Sequence, residues 1–184
     1  MICVIHVIKS LQGQCIDTMN DRLLLELSIA LHETIRQNFP EIENLKPPQV
    51  TAITHFVLRN DVFAVLPTGM GKSLIFQVLP DMCSRLNRRG YSYPSNAILL
   101  VICPLVSLVE SQMKELEKRQ ISSAYLAGDN VDEKGIKAGQ YSVVFSSPES
   151  LLMNPKWREM LRSEIYQANL FGIVTDEVHV VPKW

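Results

Sequence analysis

The order of apolar and polar positions predicts two helices in the first third of the chain. From Asn20 or Asp21, either of which can cap a helix, apolar residues recur at helical spacing until Phe39-Pro40 ends the pattern. A polar stretch follows, in which Pro47-Pro48 is expected to be a break. A second helix is predicted over 49–58. The first 20 residues begin with a short apolar run, but they carry no decisive helix or strand pattern.

Beyond residue 60, short continuous apolar runs alternate with helical stretches. Such runs suit strands that are buried on both faces, as in a parallel sheet. The alternation therefore predicts an α/β fold with a mostly parallel sheet and helices on both faces. Strands are predicted over 62–66, 97–103, 121–126, 142–146 and 170–175, and helices from Lys72 and over 105–119. The stretch 148–168 is predicted to be mostly helical, and 128–140 to be polar and turn-rich. Pro80 is expected to kink or end the helix that starts at Lys72.

Composition narrows the possible functions. The chain has 184 residues, of which 47% are hydrophobic, and 18 basic residues stand against 19 acidic ones. This balance excludes intrinsic disorder and a protein that binds nucleic acid by bulk charge. No apolar run reaches the roughly 18 residues of a membrane span, so no membrane partner is expected. The four cysteines form no C-x-x-C pair, which indicates a reducing compartment, nucleus or cytoplasm.

The segment from Leu66 to Ser73 has the features of a phosphate-binding loop. It follows a predicted buried strand and opens a helix, whose N-terminus favours anions. Gly69 and Gly71 allow backbone angles and a close approach that other residues do not. Lys72 can reach the β- and γ-phosphates of a nucleotide, and Ser73 can bind Mg²⁺. The strict loop pattern has Gly where this chain has Leu66.

An acidic pair follows the last predicted strand. Asp176 and Glu177 stand at the carboxyl end of the run 170–175, where ligands bind in parallel α/β sheets. Asp176 would hold a metal ion through water, and Glu177 would polarise the attacking water as a general base. His179 is a candidate for coupling hydrolysis to another event, or a packing residue.

Several motifs, in the right order, resemble those of the RecQ family of ATP-dependent DNA helicases in superfamily 2. The phosphate loop and its tail over 66–77 are close to the family's version, and 45–53 resembles its adenine-reading motif. The segments 103–112 and 146–151 resemble motifs Ia and Ib. Asp176-Glu177-Val178-His179 resembles the DEAH motif with Val for Ala, and 180–184 resembles the start of the aromatic-rich loop that follows it.

The resemblance implies a RecA-like P-loop domain that binds ATP and Mg²⁺ and moves along single-stranded or forked DNA in the 3′–5′ direction. It implies roles in DNA repair and recombination, and a nuclear location. It assigns catalysis to Lys72, Asp176, Glu177 and His179, and metal binding to Ser73 and Asp176. The implied nucleotide contacts are Lys46, Gln49, Pro67, Thr68, Gly69, Met70, Gly71, Lys72 and Ser73. The implied DNA contacts are Ser107, Ser146, Ser147 and Trp184.

The resemblance also predicts the domain organisation. Residues 1–40 are expected to be a partly helical N-terminal extension, and 41–184 the first RecA-like lobe, incomplete at its C-terminus. Family members bind ATP between two such lobes, so a second lobe is expected to be missing from this chain. The isolated chain is then expected to be weak or inactive as an ATPase and helicase. The oligomeric state is left open.

Three other functions stay open. An RNA helicase of the DEAD/DEAH type would use the same loop and acidic pair, although the loop sequence and the Trp after the acidic motif argue against it. A nucleotide-binding interaction module without catalysis would bind ATP tightly and turn none over. A small-molecule kinase with a phosphate loop would make the likeness of the other segments a coincidence.

Overall fold

The computed structural model describes residues 21–67, 69–128 and 131–176, together with the backbone of residues 3–6. Within these ranges the chain forms six strands and nine helices. The strands are β1 (Cys3–His6), β2 (Val62–Ala64), β3 (Ile98–Ile102), β4 (Ser123–Tyr125), β5 (Val143–Ser146) and β6 (Leu170–Thr175). The helices are α1 (Asp21–Asn38), α2 (Pro47–Val57), α3 (Lys72–Gln77), α4 (Leu79–Arg88), α5 (Val106–Lys118), α6 (Glu133–Lys137), α7 (Pro148–Met153), α8 (Pro155–Arg162) and α9 (Glu164–Asn169).

The strands form one mixed sheet in the order β2-β1-β6-β3-β5-β4. Strands β6, β3, β5 and β4 are parallel to one another, whereas β1 is antiparallel to both β2 and β6. Strand β2 therefore runs in the same direction as the four parallel strands. The predicted α/β class with a mostly parallel sheet is confirmed, and β1 is a strand that the sequence pattern did not specify.

Helices cover both faces of the sheet, so each face has its own hydrophobic core. Strand β3 shows the division, since Leu99 and Val101 join one core and Ile98 and Leu100 join the other. The large core packs β3 and its neighbours against α1, α2, α3, α4 and α5. The small core lies on the opposite face, under α6, α7, α8 and α9. This two-sided burial explains why the strands are apolar without alternation.

Helix α1 is fastened to α4 by charged and polar contacts as well as by the large core. Arg85 lies 3.0 Å from a carboxylate oxygen of Glu33, and Arg89 lies 2.7 Å from the other oxygen. The hydroxyl of Thr34, a fully buried residue, donates to Asp81 over 2.8 Å. Residues 21–38 thus share a core and a polar network with the segment that follows β2.

One predicted helix boundary was wrong, for a local reason. Helix α2 begins at Pro47, so Pro47-Pro48 is no break; proline fits the first turn, where the backbone amide has no helical partner. The mostly helical character predicted over 148–168 is confirmed, and it is divided among α7, α8 and α9. The side chains of Asn154 and Ser163 accept hydrogen bonds from the amides of Lys156 and Tyr166, and so start α8 and α9.

Two smaller differences concern the end of β2 and the segment over 128–140. Strand β2 ends at Ala64 rather than at Leu66, and the turn-rich segment over 128–140 contains the short helix α6, capped by Asp132. The expected break near Pro80 is confirmed, because α3 ends at Gln77 and α4 begins at Leu79. Among the described residues, every helix is too short or too polar to cross a membrane.

Candidate nucleotide-binding site

The phosphate loop and the first acidic residue lie at the same edge of the sheet. The loop leaves the carboxyl end of β2, and Asp176 directly follows β6. These two strands run in the same direction and are separated by β1 alone, which puts their axes about 10 Å apart. The amide of Asp176 donates to the carbonyl of Ile102 over 2.9 Å, and its side chain is buried. The fold thus brings the loop and the acidic residue to one edge of the sheet, although they are far apart along the chain.

The loop takes its shape from two glycines in the left-handed region. Gly69 has φ 79° and Gly71 has φ 68°, angles that carry strain for any residue with a Cβ atom. Gly71 is also the residue that precedes α3, so its conformation sets how the chain enters this helix, whose first-turn amides have no partner within the helix. The amide of Met70 donates to the carbonyl of Pro67 over 3.2 Å, which closes the turn.

Gln49 holds the loop against the start of α2. Its Nε2 donates to the carbonyl oxygens of Met70 and Gly71, each over 3.0 Å. Its Oε1 accepts the amide of Lys46 over 2.8 Å, and the residue is 96% buried, with 4% exposed. A Cβ atom on Gly71 would lie 2.7 Å from Nε2 of Gln49. The structure therefore places this glutamine amide on the loop backbone, and its predicted contact with adenine stays a prediction.

The cationic and metal-binding candidates stand at the start of α3. Lys72 opens the helix and its ammonium nitrogen is buried, while the hydroxyl of Ser73 accepts a hydrogen bond from Nε2 of Gln112 over 2.5 Å. Lys46, at the other side of the loop, is exposed and reaches the sulfur of Met70 over 3.4 Å.

The donor set suits Mg²⁺ bound together with a nucleotide. A serine hydroxyl and an aspartate carboxylate are the hard oxygen ligands that Mg²⁺ prefers, and this ion commonly keeps several waters and binds phosphates besides. Among the described residues, no three or more His, Cys, Asp or Glu side chains group together. Ser73 and Asp176 are the described residues that fit Mg²⁺.

The candidate DNA contacts differ in their accessibility. Ser107 is exposed in the first turn of α5. Ser146 is fully buried and its hydroxyl donates to the carbonyl of Ser147 over 2.8 Å. Ser147 caps α7, since its hydroxyl oxygen accepts the amide of Ser150 over 3.1 Å. Of the three, only the hydroxyl of Ser107 is presented to solvent without a local hydrogen-bonding role in the described structure.

Four predicted site residues, Thr68, Glu177, His179 and Trp184, lie outside the described residues. Two residues that the sequence analysis did not select stand beside the candidate metal ligand. Gln112 bonds Ser73, and Gln77 donates to Oε1 of Gln112 over 2.9 Å. A possible signal is the position of Gln77, four residues after Ser73 and so on the same face of α3.

Comparison with known proteins settles the family. The profile of the family described as "DEAD/DEAH box helicase" matches residues 46–184, which is most of the chain. The chain belongs to the DEAD/DEAH box helicase family. Within this family its relatives are RecQ-type proteins, so the resemblance inferred from the motifs is confirmed.

Three relatives show the extent of the similarity. "ATP-dependent DNA helicase Q1" of Mus musculus is 31% identical over 158 residues, which is 82% of this chain and 22% of the relative. "ATP-dependent DNA helicase RecQ" of Synechocystis sp. is 32% identical over 161 residues, 84% of this chain and 30% of the relative. "ATP-dependent DNA helicase hus2/rqh1" of Schizosaccharomyces pombe is 32% identical over 151 residues, 78% of this chain and 11% of the relative. The chain of this helicase-family member thus spans less than a third of each of these relatives.

Proposed function

We propose that the chain is the ATP-binding part of a DNA helicase motor, and that it binds Mg²⁺·ATP at the edge of the sheet between β2 and Asp176. The observation that carries this proposal is the placement of the loop with Gly69 and Gly71 at the same sheet edge as the buried carboxyl of Asp176. A nucleoside triphosphatase needs both a loop that binds the phosphates and a carboxylate that binds the metal ion.

Each residue has a role that follows from its chemistry. Backbone amides around Gly71 donate to phosphate oxygens at the positive end of α3, and the buried ammonium of Lys72 neutralises phosphate charge. Ser73 and Asp176 would hold Mg²⁺, which supplies charge neutralisation at the transferred phosphate when bound. Glu177, the next residue along the chain, would orient the attacking water and accept its proton.

Substitution of Lys72 tests the proposal. In the Lys72→Ala variant, binding of a fluorescent ATP analogue with Mg²⁺ should be abolished, while the circular dichroism spectrum and the unfolding midpoint stay those of the parent protein. The residue contributes to phosphate binding and not to the large core, so the fold should tolerate the change. Unchanged nucleotide affinity in this variant would show that the loop does not hold the phosphates.

Single-stranded DNA is the proposed partner, along which the motor would move in the 3′–5′ direction. The relatives are named as DNA helicases, which supports DNA over RNA. The exposed hydroxyl of Ser107 is the proposed backbone contact, because phosphate oxygens accept from such groups without reading the bases. Single-stranded DNA should stimulate ATP hydrolysis by the chain extended with a second lobe, and RNA of equal length should not. We expect the protein in the nucleus, where a tagged chain can be located by fluorescence microscopy.

The 184 residues alone are expected to bind ATP but to hydrolyse it slowly and to unwind no duplex. The RecQ resemblance implies that a second lobe supplies an arginine to the transition state, and such a residue is worth about 10³–10⁵ in rate. Robust unwinding of a forked duplex by the 184-residue protein would overturn this part of the proposal.

A further inference from the structure

Two glutamines connect the candidate metal ligand to a helix from another part of the chain. Gln112 lies in the middle of α5, and its Nε2 donates to the hydroxyl oxygen of Ser73 over 2.5 Å. Its Oε1 accepts from Nε2 of Gln77 over 2.9 Å. Gln77 is 5% exposed and Gln112 is half-buried, so the hydrogen bonds lie in a largely enclosed place. We call the hydrogen-bonded chain Gln77–Gln112–Ser73 the relay.

The relay fixes the orientation of all three side chains. Gln112 lies 39 residues from Ser73 and 35 from Gln77, so these are bonds between α5 and α3 rather than caps within one helix. With its oxygen engaged by Gln77, the amide of Gln112 presents its NH₂ group to Ser73. The rotatable hydroxyl of Ser73 is thereby held at one place at the start of α3, beside Lys72.

We propose that Gln112 is a positioning residue for Mg²⁺ in the nucleotide site, acting through the hydroxyl of Ser73. This inference rests on the proposed function, because it takes Ser73 as a ligand of nucleotide-bound Mg²⁺. Side chains that hydrogen-bond a metal ligand set its orientation, and their removal lowers metal affinity by about 10- to 100-fold. Gln77 supports Gln112 in the same way, one bond further from the metal.

Removal of the amide gives a specific expected result in the full 184-residue chain. In Gln112→Leu, the Mg²⁺ concentration that half-maximally raises the affinity for a fluorescent ATP analogue should increase about tenfold or more. Binding of the analogue in excess EDTA should not change, because Gln112 faces the serine and not the phosphates. A Gln112→Leu protein with the parent Mg²⁺ dependence would overturn the proposal.

Two further variants separate positioning from a general loss of packing. Gln112→Met keeps the length of the side chain but has no group that donates to Ser73, so its Mg²⁺ dependence should shift as far as that of Gln112→Leu. In a Ser73→Ala background, Gln112→Leu should add no further loss, since the group that it positions is gone. A further loss in that double variant would assign the effect to packing and overturn the proposal.

The matched control is Gln167→Leu, the same chemical change on α9, where the side chain is exposed and its amide bonds only the carbonyl of Leu161. It should leave the Mg²⁺ dependence unchanged. Failure of the proposed function looks different from failure of this inference. A parent protein that does not bind the nucleotide with or without Mg²⁺ overturns both, whereas a parent that binds and a Gln112→Leu variant that matches it overturn only the positioning role.

Discussion

The polar side chains on the two faces of the sheet make different kinds of contact. On the face of the large core several of them join distant parts of the chain: Gln112 reaches Ser73 across 39 residues, and Arg89 reaches Glu33 across 56. On the face of the small core most of them cap the helix that they begin. Asp132, Ser147, Asn154 and Ser163 each accept from an amide two or three residues ahead. The bonds from Lys156 to Glu133 and from Tyr166 to Ile136 are the longer contacts there.

The difference shows where geometry between elements has to be held. A cap stabilises one helix end and leaves the rest of the structure indifferent to its loss. A bond between elements sets their relative position, and the candidate nucleotide site depends on the relative position of α2, α3, α5 and β6. Substitutions that remove a bond between elements at the candidate nucleotide site should therefore change ligand binding, and cap substitutions on the small-core face should change stability alone.

The largest effect is expected from Gly71→Ala. The new Cβ atom would meet Nε2 of Gln49 at 2.7 Å, in a backbone with φ 68°. Nucleotide binding, measured by fluorescence anisotropy, should be lost because the loop can no longer adopt the conformation that binds the phosphates. The left-handed strain should lower the unfolding free energy by about 1–2 kcal/mol.

The control for Gly71→Ala is Gly90→Ala, at the end of α4. Gly90 has φ 84°, but a Cβ atom there meets open space. The same strain of about 1–2 kcal/mol should appear in urea unfolding, with nucleotide affinity unchanged. Equal losses of nucleotide affinity in the two variants would contradict the role given to the contact between Gly71 and Gln49.

Gln49→Leu should have the next largest effect. The variant loses the bonds to Met70, Gly71 and Lys46, and the two loop carbonyls lose a donor. The unfolding free energy should fall by about 1–3 kcal/mol. Affinity for ATP and for GTP should fall together, because the bonds brace the loop backbone. A loss confined to ATP would point instead to the adenine contact predicted from the sequence, and against the brace.

Ser147→Ala should lower stability without affecting the candidate nucleotide site. Its loss removes the cap of α7 and should lower the unfolding free energy by about 1 kcal/mol, with nucleotide affinity unchanged. Ser147→Asp restores an acceptor at the cap position and should recover most of the stability. Nucleotide binding that weakens in Ser147→Ala would break the division between the two faces.

The smallest effect near neutral pH concerns two matched tyrosines, one in each core. Burial raises the pKa of Tyr93 to about 12 and the pKa of Tyr166 to about 12, and each hydroxyl donates to a backbone carbonyl, that of Val57 or Ile136. Because both pKa values lie above the ordinary value near 10, their contribution to stability is complete below pH 10. It is lost as pH rises from about 10 to about 12.

Urea unfolding between pH 9 and pH 12 measures this contribution. The slope of the unfolding free energy against pH should be shallower in Tyr93→Phe and in Tyr166→Phe than in the parent protein, by similar amounts. A difference between the two variants would show that the cores are not equally dry around these hydroxyl groups. Slopes equal to that of the parent would contradict the raised pKa values.

Local sequence patterns predicted those parts of the molecule that depend on neighbours along the chain. The apolar runs located strands β2 to β6, and the break near Pro80 followed from the geometry of proline. The left-handed turns of the loop could be predicted from its glycines, because only a residue without a Cβ atom adopts these angles without strain. Asn154 and Ser163, which divide the mostly helical stretch 148–168 into α7, α8 and α9, could have been recognised as caps from the same kind of local signal.

Contacts between distant segments could not be predicted in this way. The sequence pattern does not indicate which groups the amides of Gln49, Gln77 and Gln112 hydrogen-bond, because a glutamine side chain can equally well be exposed to solvent. The burial of Ser146 follows from its place at the end of a central strand, and its residue type gives no hint of it. The strand β1 was ambiguous because a short apolar run fits a strand or a helix equally well.

The amino-acid sequence by itself determined the α/β class, because hydrophobic periodicity acts over a few residues, and the order of its motifs indicated the family by resemblance. Gly69 and Gly71 marked the loop over 66–73, because glycine conformation is also a local property. The tertiary structure decided that β1 lies between β2 and β6, that Asp176 comes to the edge where the loop lies, and that glutamines from α2 and α5 hold that loop and its serine. Those outcomes depend on which surfaces pack together, and packing joins residues that are far apart along the chain.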